Sequence, residues 1–146
     1  MTVVVEQIHR VTPPPGSRPE RLVLTWEQRS KTRQRVTTDG GREIVIKLAT
    51  GTRLPPGTIV WAGEGVHVEV AAADEDVWLM RSADAQTLAR VAYEIGNRHF
   101  PIEIGPAWVA VLYDHTLAEL WARLGVHAER VRQPFLSEQQ PTHHHP

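Results

Sequence analysis

Residues 88–102 read LARVAYEIGNRHFPI, and the change of pattern inside this stretch decides how the second half of the chain folds. Its apolar residues recur at the i, i+3, i+4, i+7 spacing of one face of an α-helix: Leu88, Val91, Ala92 and Ile95. Gly96 follows the last of them, where a left-handed residue commonly ends a helix, and Pro101 prevents the helix from resuming. We therefore predict a helix closed by Gly96, with His99 on its exit turn.

The segments around this helix have the pattern of strands. Residues 77–80 form a short apolar run, and Ser82 or Asp84 then supplies the N-cap of the helix. Two further β-like runs follow at 100–104 and 107–112, and a Gly-Pro pair separates them. This part of the sequence therefore predicts one strand before the helix and a pair of strands after it.

A second helix with a marked start and end follows these strands. Thr116 and Glu119 have the three-residue spacing of a capping box, and Gly125 comes just after the last apolar residue. A final strand is predicted over 126–131. The resulting order is β-α-β-β-α-β, the ferredoxin-like order in which two helices cover one face of an antiparallel sheet.

The first half of the chain has the period of two that is typical of strands. Val-rich or alternating runs occur at residues 2–9, 22–26, 43–48 and 66–70. Asp39-Gly40-Gly41 supplies a hairpin turn, because Asp and Gly tolerate the positive φ angles that such turns require. This half is therefore predicted to be all-β.

The fold class predicted for the whole chain is α+β. An all-β domain occupies residues 1–74 and the ferredoxin-like domain occupies 75–136. A flexible tail occupies 137–146, because this segment has few apolar residues whose burial would offset the entropy of ordering it. The basic segment 29–35 is expected to be solvated, with binding of a partner protein as the alternative.

Composition excludes several classes of function. The net charge of the 146 residues is −1 with histidine neutral, which removes the broad attraction that nonspecific nucleic-acid binding uses. No apolar run approaches the ~20 residues of a transmembrane helix, and no signal peptide is visible. We therefore predict a cytoplasmic protein that binds neither nucleic acid nor membranes. Because the chain has no cysteine, a transition-metal site depends on imidazole, carboxylate or water.

Eight histidines supply nitrogen ligands, and five of them stand out. His99 lies on the exit turn of the first helix, His115 precedes the second helix, and the tail carries His143, His144 and His145. Imidazoles on a fixed turn and on a mobile tail suit reversible binding of a borderline divalent metal such as nickel.

Each of these positions has a simpler alternative. An ordinary structural or solvated histidine is the alternative at every one, and a remnant of a purification tag is a second alternative for the tail cluster. The other three histidines have no ligand spacing and are assigned structural or solvent-facing roles: His9, His67 and His127.

The motif Gly96-Asn97-Arg98-His99 resembles the hallmark of the UreE family of urease accessory proteins, which are nickel metallochaperones. Similar features follow it, namely Tyr113-Asp114-His115 before a helix, Gln133-Pro134-Phe135 with Glu138, and histidines near the C-terminus. The resemblance covers most of the chain and is strongest over residues 88–138. Tyr113 stands where a further histidine occurs in some members, so we expect few metal ions per dimer.

The resemblance implies a site and a function. It implies a homodimer in which His99 of each subunit meets its symmetry mate around one Ni²⁺ ion, with the tail histidines completing or feeding that site. It also implies a peptide- or partner-binding N-terminal domain, and delivery of Ni²⁺ to apo-urease through an accessory GTPase. Zn²⁺ or Cu²⁺ is expected to bind in vitro as well, because the intrinsic order of affinities does not favour nickel over copper.

Two other functions serve as alternatives to a metal carrier. A protein-interaction module without metal would rest on the β-rich half alone. A metal-dependent hydrolase would need three protein ligands held together around an open position, and the sequence contains no His-x-x-x-His or comparable carboxylate constellation. We therefore predict a carrier rather than an enzyme.

Overall fold

The structure is a computed structural model that describes residues 2–9 and 12–139. The chain divides into two compact units, Met1–Ala73 and Asp74–Pro146. The sequence pattern assigned Asp74 to the first domain, whereas in the structure this residue begins the first strand of the second unit.

The described residues of the first unit form six strands and one short helix. These are β1 (Thr2–Val5), β2 (Arg18–Leu24), α1 (Trp26–Ser30), β3 (Arg33–Thr37), β4 (Glu43–Lys47), β5 (Ile59–Gly63) and β6 (Val66–Ala72). They build two three-stranded sheets with the orders β1-β4-β3 and β2-β6-β5. In each sheet the central strand pairs in parallel with one neighbour and antiparallel with the other.

The core of the first unit follows from the alternation of its strands. Inward-facing side chains of both sheets share one apolar cluster, whose most buried members are Leu22, Leu24, Ile44, Ile46, Leu54, Val68 and Val70. The predicted hairpin is confirmed, because β3 and β4 are antiparallel neighbours. Gly41 lies in the turn between them with a φ of +88°, and the Thr38 amide donates to the Arg42 carbonyl at 2.8 Å.

The segment after β2 differs from the prediction. The strand predicted over 22–26 ends at Leu24, and a capping box formed by Thr25 and Gln28 starts α1. Arg29 turns inward with 5% exposure, and its Nη1 donates to the Leu24 carbonyl at 2.7 Å. The expectation that the whole basic segment is solvated is therefore wrong at Arg29, because a backbone acceptor compensates the guanidinium for the water it loses.

The described residues of the second unit form four strands and two α-helices. These are β7 (Asp74–Arg81), α2 (Ala85–Asn97), β8 (Glu103–Gly105), β9 (Trp108–Leu112), α3 (Ala118–Leu124) and β10 (Ala128–Pro134). The sheet order is β10-β7-β9-β8 and every neighbouring pair is antiparallel. In order of appearance the strands are therefore arranged 4-1-3-2, and the predicted ferredoxin-like β-α-β-β-α-β order is confirmed.

The two helices of the second unit and one face of its sheet share a single core. The cluster contains residues from β7, α2, β9 and α3, including Met80, Val91, Ile95, Val109, Val111, Leu120 and Trp121. The apolar stripe predicted for α2 is confirmed, since its buried positions belong to the stripe and Leu88 and Ala92 pack against the same cluster.

The residue that caps the start of the second helix differs from the one predicted. A single 3₁₀ turn, His115–Leu117, precedes α3, and Asp114 caps it by accepting a hydrogen bond from the Thr116 amide at 2.8 Å. The capping box predicted for Thr116 and Glu119 is therefore wrong, because Thr116 is already inside the turn. Gly125 closes α3 in the left-handed conformation, as predicted.

The first residues of the tail predicted over 137–146 are folded in the structure. Ser137 is 4% exposed, and Phe135, near the end of the predicted domain, is 0% exposed. The Gln139 side chain accepts a hydrogen bond from the Ile102 amide at 2.7 Å. Residues 137–139 therefore belong to the folded unit, because their contacts offset the entropy of ordering them. Among the described residues no helix is long and apolar enough to cross a membrane.

Candidate functional site

His99 lies in the turn that leads from α2 to β8. The Phe100 amide donates to the Ile95 carbonyl at 3.3 Å, and the His99 amide donates to the Gly96 carbonyl at 3.0 Å. These two bonds form a Schellman motif, in which the residue that follows the C-cap takes the left-handed conformation. His99 is that residue, with a φ of +62°, and it is exposed.

Gly96 does not have the role that the sequence predicted for it. It lies inside α2, which continues to Asn97, with Arg98 as C-cap. The helix extends further than predicted because Phe100 packs against the core cluster that contains Ile95, and this contact commonly accompanies a Schellman motif. The left-handed conformation predicted at Gly96 is therefore found three residues later, at the histidine.

The backbone conformation of His99 is unfavourable for a residue with a side chain. A left-handed conformation costs a non-glycine residue about 1–2 kcal/mol, although histidine adopts it more often than most residues. Glycine is the usual residue at this point of the motif. Glu64 and Ala107 are also exposed with a positive φ, so this conformation fixes where His99 lies and does not by itself identify a function.

Arg98 and Glu94 reinforce the end of α2. The Nη1 atom of Arg98 donates to the Glu94 carbonyl at 3.0 Å and to the Glu94 carboxylate at 2.6 Å. The pair is one helical turn apart, and the cation also satisfies a carbonyl in the last turn, where positive charge is favoured. These contacts give Arg98 a structural role at the end of α2.

His115 is exposed at the first position of the 3₁₀ turn before α3. Its neighbour Asp114 has a pKa below the ordinary value, chiefly because the hydroxyl and amide of Thr116 donate to its carboxylate, with a smaller contribution from the charge of His115. The indole of Trp78 also donates to the Asp114 carbonyl at 3.0 Å. The turn that carries His115 is thus fixed from two sides.

The three other histidines take the structural or solvent-facing roles expected for them. His67 is 6% exposed, and its Nδ1 lies 2.6 Å from the Ser17 hydroxyl. His127 is exposed beside Glu129, with 3.7 Å between the imidazole and the carboxylate. His9 is exposed near the end of the first described segment.

The two candidate ligands that the structure describes, His99 and His115, do not belong to a closed metal site within the described residues. Over residues 2–9 and 12–139 no group of three His, Asp or Glu side chains is placed to hold a metal ion. His143, His144 and His145 lie outside the described residues. A metal site that uses the single exposed imidazole on this turn would need further ligands from a second subunit or from elsewhere in the chain.

Two polar contacts beside the site have no signal in the sequence. The Glu103 carboxylate accepts from the Leu136 amide at 3.0 Å, and the Gln139 side chain accepts from the Ile102 amide. Each joins residues more than thirty positions apart. By contrast, the Glu94–Arg98 pair has the i, i+4 spacing that a reader of the sequence can find.

Comparison with known families covers both units. The family model described as the N-terminal domain of the UreE urease accessory protein matches residues 1–73. The model described as the C-terminal domain of the same protein matches residues 75–146. Together the two matches cover nearly the whole chain.

Individual relatives agree with these matches. A urease accessory protein UreE from Cupriavidus necator is 44% identical over 130 residues, which are 89% of this chain and 68% of that protein. UreE proteins from Burkholderia thailandensis and Burkholderia mallei are 43% and 42% identical over 84% of this chain. The matched part covers 57% and 60% of the two Burkholderia proteins. On this similarity the chain belongs to the UreE family of urease accessory proteins.

Proposed function

We propose that this protein is a nickel-binding metallochaperone that delivers Ni²⁺ to apo-urease during assembly of the urease active site. The proposal rests on His99, whose side chain is exposed and whose backbone has a φ of +62° in the turn after α2. Its relatives are named urease accessory proteins, which supports a role in urease maturation.

The chemistry of the turn suits a carrier better than an enzyme. One fixed imidazole per chain leaves the remaining coordination positions to a second subunit and to the tail, so ligands can be gained and lost during transfer. Imidazole suits nickel, and also copper and zinc, so Cu²⁺ and Zn²⁺ compete in vitro. A ligating imidazole must be neutral, and acid therefore weakens binding.

The outer face of α2 supports a homodimer in which two copies of His99 share one ion. Tyr93 is 69% exposed, and Gly96 lies one turn further along the same stripe of the helix. A Cβ at Gly96 would meet no described atom within 4 Å beyond its own helix backbone. Glycine inside a helix lowers helix stability by about 1 kcal/mol relative to alanine. Because Gly96 has no side chain, a second subunit can approach the helix closely at this point.

The remaining parts of the proposal rest on the family. The protein acts in the cytoplasm as part of an assembly that contains an accessory GTPase and apo-urease. The first unit supplies the partner- or peptide-binding surface, and the second unit carries the metal and dimer contacts. His115 and the tail histidines are accessory ligands that feed or complete the site at His99.

Nickel titration of metal-free protein tests the central claim. We compare the wild type with His99→Ala and with His127→Ala, a matched control that removes an exposed histidine from the same unit. Outer-shell substitutions at metal sites already lower affinity about 10- to 100-fold, so loss of a ligand at His99 should lower it at least about tenfold.

The control variant should bind nickel like the wild type. Equal affinity and stoichiometry for His99→Ala and the wild type would overturn the proposal. Solution mass measured on the same samples, with and without nickel, tests the dimer. A monomeric mass at saturating nickel would contradict the shared site.

A further inference from the structure

Arg98 binds two successive carbonyl groups in the last turn of α2. Its amide donates to the Ile95 carbonyl at 3.1 Å, and its Nη1 atom donates to the Glu94 carbonyl at 3.0 Å. The same Nη1 atom also donates to the Glu94 carboxylate at 2.6 Å. Carbonyl groups at a helix end lack their full set of amide partners, and a basic side chain there can supply the missing donors. Arg98 therefore stabilises the end of its own helix.

The pair of Arg98 and Glu94 is partly withdrawn from water. The Arg98 side chain is 32% exposed and the Glu94 side chain is 28% exposed. Hydrogen bonds between ionised groups are stronger than those between neutral groups, and salt screens a partly buried pair less than an exposed one. The guanidinium is therefore held in place at physiological salt.

His99 lies between this pair and a second anchor. Arg98 precedes it as the C-cap of α2, with a φ of −95° and a ψ of 4°. Phe100 follows it and packs against the core of the second unit. The amides of Arg98 and Phe100 both donate to the Ile95 carbonyl, at 3.1 and 3.3 Å. The backbone of His99 is therefore held on both sides, by the hydrogen bonds of Arg98 and by the packing of Phe100.

The hold on this turn affects the binding of any ligand to the imidazole. The left-handed conformation is less favourable for histidine than for glycine, so a turn that loses an anchor populates other conformations as well. A ligand that binds one of several conformations has an affinity reduced in proportion to the population of that conformation. An anchor next to His99 thus contributes to affinity without contacting the ligand.

We propose that Arg98 is a positioning residue for the nickel site. By binding the carbonyl and the carboxylate of Glu94, it holds the exit turn of α2 in the conformation that presents the His99 imidazole to the metal. The inference rests on the proposed nickel function. Arg98 acts through His99, and Glu94 shares the role because its carboxylate fixes the guanidinium.

Nickel titration of Arg98→Met tests this role, because methionine keeps an unbranched side chain and loses both side-chain hydrogen bonds. We expect nickel affinity to fall about three- to tenfold, which corresponds to a binding conformation populated about 10–30% of the time. Arg123→Met is the matched control, since it removes an exposed arginine from the last turn of α3. The control should bind nickel like the wild type.

A second variant leaves Arg98 unchanged. Glu94→Ala removes the carboxylate partner and introduces a residue that favours the helix. The bond from Arg98 to the carbonyl of residue 94 remains possible, so we expect a smaller loss of nickel affinity, about two- to threefold.

Two further measurements separate positioning from a role in folding alone. In a His99→Ala background, Arg98→Met should leave the residual nickel affinity unchanged, because the imidazole through which it acts is gone. Hydrogen exchange at the Phe100 amide should rise in metal-free Arg98→Met. It should return to the wild-type rate when nickel saturates the protein, because the metal selects the conformation that binds it.

The outcomes distinguish this inference from the proposed function. Lower stability of Arg98→Met with unchanged nickel affinity would show that Arg98 acts on the helix alone, and would overturn the inference. Equal losses of affinity from Arg98→Met with and without the His99 imidazole would overturn it as well. If His99→Ala binds nickel like the wild type, the proposed function itself fails.

Discussion

Helices α2 and α3 of the second unit begin alike and end differently. An aspartate accepts amide and hydroxyl hydrogen bonds at the start of each, Asp84 before α2 and Asp114 before the turn that leads into α3. Both end with a residue in the left-handed conformation. That residue is Gly125 after α3, with a φ of +66°, and His99 after α2, with a φ of +62°.

The two helix ends have the same backbone conformation but different residues. Glycine takes the left-handed conformation without a steric penalty, so Gly125 is the residue that stability alone would select. His99 has the same backbone requirement and bears a side chain that makes the conformation less favourable. Under the proposed function, the imidazole of His99 binds nickel, which a glycine at this position could not do.

Gly125→His should lower stability, because it places at the end of α3 the conformational strain that α2 already carries. We expect the free energy of unfolding to fall by about 0.5–1 kcal/mol, because the smaller freedom of histidine in the unfolded chain partly offsets the strain; denaturant unfolding of metal-free protein measures it. Nickel affinity should remain that of the wild type. An unchanged stability would show that the left-handed conformation carries no penalty for histidine in this unit.

His99→Gly should have the opposite effect on stability and a large effect on binding. Relief of strain is partly offset by the greater freedom of glycine in the unfolded chain, which leaves a net stabilisation of about 0.5–1 kcal/mol. Nickel affinity should fall as it does in His99→Ala. A destabilised His99→Gly protein would mean that the imidazole contributes to folding, and would contradict our view of this helix end.

The aspartates at the two helix starts predict a smaller effect, in which the free energy of unfolding depends on pH. Hydrogen bonds from Thr116 hold the pKa of Asp114 below its ordinary value of 3.8. The stability that this carboxylate contributes is therefore present above the ordinary pKa and is lost as pH falls through the lowered one. Asp114→Asn keeps an acceptor but does not titrate there.

Unfolding free energies of metal-free wild type and Asp114→Asn are compared from neutral pH to below the ordinary aspartate pKa. The wild type should lose more stability with acid than the variant does. The pKa of Asp84 is lowered by the same kinds of bonds, from Thr87 and Gln86, so the variant should retain part of the acid sensitivity. Parallel pH profiles for the two proteins would contradict the role assigned to Asp114.

Local patterns predicted the elements of the second unit well. The stripe of α2, the pair of strands after it and the glycine that ends α3 are all present. These features depend on residues within one or two turns of each other, which is the range over which periodicity and capping act. The same reasoning placed His99 on an exit turn, where the structure has it.

The errors arose where packing or a hydrogen bond in the folded unit overrode a local sequence pattern. Phe100 packs with the core and extends α2 past Gly96. Arg29 turns inward because the Leu24 carbonyl accepts from it, although its neighbours in the sequence are basic. Residues 137–139 have the composition of a tail, but Ser137 is buried and Gln139 accepts a hydrogen bond from the amide of Ile102, the residue before β8.

The sequence by itself determined the α+β class, the ferredoxin-like order of the second unit, and the motif that ends in His99. Each of these depends on residue types at short, regular spacings, which a single chain displays directly. Only the tertiary structure decided that His99 carries the left-handed conformation and that Gln139 ends beside Ile102. Those facts depend on which distant groups pack or bond together, and such contacts form only after the chain has folded.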